Sequence, residues 1–111
     1  MEINTDEIKK RTASLISLCV RAGLTEAGGT KCEKAMQNNE AKLVIISVDA
    51  SENTKKKFVN KAYFYNVPVL FFGNMHELGK LTGAGFTSSI AITDVNLSKK
   101  IKDIVESAGL I

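Results

Sequence analysis

The sequence predicts an α/β fold, a three-layer α/β/α sandwich built on a small four-stranded mixed sheet. Three observations predict it. Stretches with helical spacing of apolar residues alternate along the chain with short, nearly continuous apolar runs. Residues 42–48 are nearly continuously apolar, the pattern of a strand covered on both faces, and residues 67–72 read as a second buried strand. The 111 residues are the size of a single domain. A chain of that length buries roughly two-thirds of its unfolded surface and needs no disulfide or metal to fold. One domain over residues 1–111 is therefore expected.

The elements follow in order. From Thr5, the residues Ile8, Leu15, Leu18, Cys19 and Ala22 recur at helical spacing until Gly23 stops the pattern. Thr5 is placed to cap this first helix, and Asp6 and Glu7 complement its positive end. A short extended piece, residues 24–27, leads into Gly28-Gly29. A second helix is expected from about Thr30 to Asn38, closed by Asn38-Asn39, and the first buried strand follows. Asp49 or Ser51 caps a third helix with the apolar stripe Phe58, Val59, Ala62 and Tyr65. Pro68 stands at the start of the second buried strand. Asn74 and Glu77 form a variant capping box for a short helix that ends near residues 79–83. Residues 88–93 read as a third buried strand. Asp94 then caps a last helix with the stripe Leu97, Ile101, Ile104, Val105 and Ala108. No internal repeat, linker or low-complexity segment interrupts the order.

Fifteen Lys+Arg against 12 Asp+Glu give a formal charge of +3. Residues 1–27 and 62–111 each balance four basic with four acidic side chains. Residues 28–61 hold seven basic (Lys31, Lys34, Lys42, Lys55, Lys56, Lys57, Lys61) against four acidic (Glu33, Glu40, Asp49, Glu52). The whole surplus lies in the middle third, which points to a polyanion-facing surface. Hydrophobic residues at 44% and charged residues at 24% exclude a disordered or collagen-like chain. The apolar runs are far short of a membrane span, and the acidic N-terminus lacks a signal core. A cytoplasmic protein without a membrane partner is expected. Cys19 and Cys32 lack metal-site spacing and fall on apolar stripes, the first with Leu15, the second with Ala35 and Met36. Both are expected in the core, in reducing surroundings.

Enzyme signatures fail. Gly28-Gly29-Thr30-Lys31 has the wrong order for a nucleotide-binding P-loop, and Gly79-x-x-x-Gly83-x-Gly85 follows a helix, unlike a dinucleotide fingerprint. His76, the sole histidine, lies in the first turn of a helix, where a surface role is expected. Asp49 and Asp94 follow strands but precede helices, so capping accounts for them. No nucleophile–base pair is available, and a non-enzymatic protein without cofactor or metal is expected.

Gly28 and Gly29, just before a helix, let another molecule approach the backbone, and a bare helix end suits a phosphate. Lys31 and Lys34 lie about 60° apart on the helical wheel, away from Cys32, Ala35 and Met36. Lys55, Lys56, Lys57 and Lys61 sit in the first turns of the third helix. Lysines there oppose the helix macrodipole at about 0.3–1 kcal/mol each at the very end, a sign that the charge is used elsewhere. Residues 80–89 form a glycine-rich loop with two apolar side chains, Leu81 and Phe86. Such a side chain either packs on an unstacked base or tucks beneath the loop.

These segments together resemble a known family. The run from Ala41 to Lys57, then Tyr65-Asn-Val-Pro-Val69, Glu77-Leu-Gly-Lys80 and Ala91-Ile-Thr-Asp94, keeps the order and spacing of the kink-turn RNA-binding ribosomal proteins of the L-seven-Ae and L-thirty-e type. The similarity covers about residues 8–105, and its closest form is the bacterial YlxQ-like branch. It implies an α/β/α sandwich and an RNA-binding, ribosome-associated protein.

In that family the second helix begins with a glycine, an Asn-Glu pair and, one turn later, a lysine that grip a kinked RNA stem. Gly28 and Lys34 match the glycine and the lysine, with Gly29 between Gly28 and the pair. Thr30 stands at the Asn position and Lys31 at the Glu position. A glutamate accepts hydrogen bonds from a guanine edge whereas a lysine only donates, so the resemblance implies phosphate binding with altered base reading. Lys55 falls where the family has a contact early in its third helix. Ala84, Gly85 and Phe86 fall in the loop that closes over a flipped-out nucleotide, with Lys80 just before it. The expected partner is rRNA or another structured RNA, with the ribosome as its setting and the chain acting as a monomer. A protein-interaction module, or an accessory of an RNA-processing or RNA-modifying complex, is the alternative.

Overall fold

Five helices and four strands alternate along residues 5–107, the part of the chain described by the computed structural model. They are α1 (Thr5–Arg21), β1 (Thr25–Ala27), α2 (Gly29–Gln37), β2 (Leu43–Ile46), α3 (Glu52–Phe64), β3 (Val69–Phe71), α4 (Met75–Thr82), β4 (Ser89–Ile92) and α5 (Val95–Ser107). The sheet order is β1-β4-β2-β3. β4 runs antiparallel to both neighbours, with Thr25 opposite Ile92 and Leu43 opposite Ile92 on its two sides, while β2 and β3 are parallel. The mixed α/β/α sandwich expected from the sequence is the fold observed.

The strand period of two sorts the core. Leu43, Ile45, Leu70, Ile90 and Ile92 point to one face, where Ile16 and Cys19 of α1, Leu78 of α4 and Ile101 and Val105 of α5 cover them. Val44, Ile46 and Ala91 point to the other, under Cys32, Ala35 and Met36 of α2 and Phe58 and Ala62 of α3. Both cysteines are fully buried. Burial pushes the Cys32 thiol up to about 12. Burial, then the nearby Asp94 charge, also raises Cys19.

Local signals place most element ends. The Ser51 hydroxyl accepts from the Thr54 N–H at 3.2 Å and caps α3. Asn74 and Glu77 close a reciprocal capping box on α4, at 2.8 and 3.2 Å. Asp94 Oδ2 accepts from the Leu97 N–H at 2.8 Å at the start of α5. Asp49 does not cap its own helix. Its Oδ1 accepts from the Met75 N–H at 2.9 Å and so ties the end of β2 to the start of α4.

Four expectations shift. The buried stripe of α1 is Thr12, Ile16 and Cys19, while Leu18 is 42% exposed and Ala22 is exposed. Thr12 is admitted because its hydroxyl donates to the Ile8 carbonyl at 2.8 Å. Thr5 is already helical, so the α1 cap position falls outside the described residues, as does Ala108 at the far end. Val59 is exposed, which narrows the α3 stripe to Phe58, Ala62 and Tyr65. β3 is an edge strand and less buried than expected: Leu70 is buried on one face and Val69 packs half-buried on the other, but Phe71 is exposed. Among the described residues, no helix is long and apolar enough to cross a membrane. Nor does any group of three or more His, Cys, Asp or Glu there stand ready to hold a metal ion.

Candidate nucleic-acid interface

The topology gathers one end of the sheet. β1, β2 and β3 share a direction because β4 opposes both β1 and β2, and β3 parallels β2. Their ends deliver the chain into α2, α3 and α4, and β4 begins at that same end from the loop of residues 83–88. Hydrogen bonds fasten these pieces together. The Gly28 N–H donates to the Ser89 carbonyl at 3.0 Å, Ser47 to Ser88 at 2.9 Å and Thr87 to Met75 at 3.1 Å.

The start of α2 is open by construction. Gly28 takes φ +100, ψ 157, a conformation only glycine adopts without strain, and so it offers the helix no capping side chain. No acidic residue occupies the first turn. The Gly28 carbonyl accepts from the Cys32 N–H at 2.9 Å, while the N–H groups of Gly29, Thr30 and Lys31 precede this first intrahelical donor and have no acceptor within the helix. α3 and α4, by contrast, carry Ser51 and Asn74 as side-chain caps. Gly29 is not forced by space, since a β-carbon there would meet the Phe58 ring at an ordinary 3.7 Å.

Thr30, Lys31 and Lys34 are exposed. The two lysines share the wall of a shallow groove of about 230 Å³ with Glu26 and Glu40. Among the described residues neither forms an ion pair. The lysines of α3 behave differently. Glu33 on α2 bonds both Lys57 and Lys61, the latter at 3.0 Å. Those two hydrogen bonds, first to Lys57 and then to Lys61, hold the Glu33 carboxyl below the usual carboxylate range. Lys55 is partly buried, 3.6 Å from Glu52, and Lys42 donates to the Asn39 carbonyl at 3.1 Å. Part of the central charge surplus is thus internal: two lysines clip α3 to α2. Lys31, Lys34 and Lys56 stay unpaired among the described residues.

The loop separates its two apolar side chains. Leu81 packs partly buried against the core, whereas Phe86 is 71% exposed, its ring centroid 5.7 Å from that of His76. Ala84 and Gly85 are exposed beside it, and Lys80 is exposed on α4, one turn beyond His76. The Ala84 N–H donates to the Gly79 carbonyl at 3.0 Å. A β-carbon on Gly79 would lie 2.0 Å from the Gly85 oxygen, so the loop rests on bare backbone. The structure therefore groups Gly28, Gly29, Thr30, Lys31 and Lys34 on α2 and Ala84, Gly85 and Phe86 on the neighbouring loop. Lys55 lies near the start of α3, engaged with Glu52, and Lys80 precedes the loop on α4. Sequence reasoning missed Gly79 and Glu33. A glycine inside a helix was the signal for the first, and nothing local announced the second.

This end of the sandwich, an uncapped helix start with two free lysines beside a loop presenting an aromatic ring, defines a class of small α/β/α scaffold suited to an anionic ligand. Residues 10–102 match the ribosomal protein L7Ae/L30e/S12e/Gadd45 family, and the chain belongs to that family. It is similar to the RNA-binding protein YlxQ of Enterococcus faecium, with 33% identity over 98 residues, 88% of this chain and 94% of the relative. A Bacillus halodurans protein of unknown function has a similar structure, with a TM-score of 0.81, 35% identity and coverage of 86% and 96% of the two chains. The 15.5kD RNA binding protein of Giardia lamblia shares the fold, with a TM-score of 0.76 at 20% identity, over 100% of this chain and 96% of the other. The family resemblance seen in the sequence is borne out.

Proposed function

We propose that this chain is a non-enzymatic RNA-binding protein, ribosome-associated and monomeric, that acts as one domain on a kink-turn or similarly bent or bulged RNA. The observation that carries the reading is the start of α2. Gly28 leaves its first N–H groups without a side-chain cap, and Lys31 and Lys34 stand unpaired one turn apart. Donors at a helix start and nearby cations are the means by which proteins hold phosphate. Gly28, Gly29 and Thr30 present backbone and hydroxyl groups to the RNA, Lys31, Lys34 and Lys55 neutralise phosphates, and Lys80 flanks the contact. Phe86, with Ala84 and Gly85, packs on an extruded base, as exposed aromatic rings do in RNA recognition. The similarity to YlxQ, whose name describes RNA binding, supports the same reading.

The test is a titration with a kink-turn stem and with the same stem after its G·A pairs are replaced. The proposal expects tighter binding to the first. Equal binding would reduce the protein to a general phosphate binder, and binding to neither would refute the proposal.

A further inference from the structure

We infer that the outer face of α3 is a second nucleic-acid contact, a stacking platform for unpaired nucleotides that flank the bound stem. This rests on the RNA-binding reading above but involves different residues. Tyr63 is 89% and Phe64 78% exposed, the two most exposed large apolar side chains among the described residues. The buried stripe of α3 runs through Phe58 and Ala62, so Lys56, Asn60 and Tyr63 project from the opposite side. Phe64 is supported, its ring edge-on to Tyr65 with centroids 4.9 Å apart. Tyr63 and Phe64 project about 100° apart and flank the outer face of the helix, and large exposed apolar side chains grouped on a surface mark a contact.

Charge selects the occupant. Of the lysines of α3, Lys55 is engaged with Glu52 and Lys57 and Lys61 with Glu33, whereas Lys56 on the outer face is unpaired among the described residues. A second copy meeting this face about a two-fold axis would set like charges against each other. A strand with flat bases and phosphates fits both features, its bases on the rings and its backbone near Lys56. The path is continuous with the first site. α3 starts at the sheet end where α2 and the loop lie, and Tyr63 is seven residues, or about 10 Å of helix, beyond Lys56.

The test compares a stem with blunt ends, the same stem carrying a single-stranded extension, and a single-stranded oligonucleotide alone. Wild type is expected to gain about tenfold in affinity from the extension. Tyr63→Ala/Phe64→Ala should keep the blunt-stem affinity and lose that gain. Both side chains are exposed, so the variant keeps its fold, checked by circular dichroism. The oligonucleotide should quench tyrosine fluorescence in wild type and not in Tyr63→Phe. An extension that adds nothing to wild type, or a gain kept by the double variant, overturns the platform while leaving stem binding intact. Failure on the blunt stem with quenching by the oligonucleotide overturns the stem reading instead and keeps the platform. Dimerisation abolished by the double variant would assign the face to a second copy and overturn the inference.

Discussion

Gly79 sits inside α4, where a helix would gain from alanine by roughly 0.5–1 kcal/mol. The Gly85 carbonyl occupies the place of its β-carbon, so the loop bearing Phe86 lies on the helix because this position has no side chain. Gly79→Ala is expected to force the loop away and destabilise the protein by about 1–3 kcal/mol, a fall in melting temperature of roughly 5–15 °C. Gly29→Ala, with only an ordinary contact at 3.7 Å, is the control and should melt near wild type. Calorimetry of the two variants checks this, and equal melting temperatures would contradict it. The glycine was visible in the sequence. Its reason was not, because the contact depends on a loop that folds back. Phe86 and Leu81 pose the same problem: both are apolar loop residues, and only packing shows that one is presented and the other buried.

At the scale of elements, α2 and α3 are joined by Glu33 with Lys57 and Lys61. The folded Glu33 carboxyl lies below its usual range. Its contribution to stability is therefore complete above the ordinary carboxylate value and disappears as pH falls through the depressed one. Glu33→Gln should be less stable than wild type at pH 7, and the difference should shrink below about pH 4. Urea melts at the two pH values test this, and a difference that does not change with pH would contradict it. The lysine run at the start of α3 stood out by opposing the helix dipole, but Lys61, expected in the first turns, lies in the last turn, where it suits the dipole. Its partner Glu33, 28 residues away, left no local mark. Caps were legible because they are local, as Asn74 with Glu77 and Asp94 with Leu97 show. The α1 stripe was misplaced because Leu18 outranks Thr12 in hydrophobicity, while the Thr12 hydroxyl finds its acceptor within its own helix.

Across the whole molecule, the alternation of helices and buried strands was enough to give the layered architecture. Strand order was not legible, since residues 67–72 read as a buried strand although β3 is an edge. That order sets the starts of α2, α3 and α4 and the Phe86 loop at one end of the sheet, where the proposed RNA contact lies. The formal charge of +3 is similarly redistributed by folding. With Lys57 and Lys61 tied to Glu33, the charge free to meet RNA near the start of α2 is that of Lys31 and Lys34.

The most direct test of RNA binding at the start of α2 is the salt dependence of affinity for a structured RNA, measured for wild type and for Lys31→Gln/Lys34→Gln. Contact with about three phosphates predicts a slope of log K against log[salt] near −3 in wild type. The double variant should bind more weakly, with the slope reduced in magnitude by about 2. The same slope and affinity in both proteins would contradict the account.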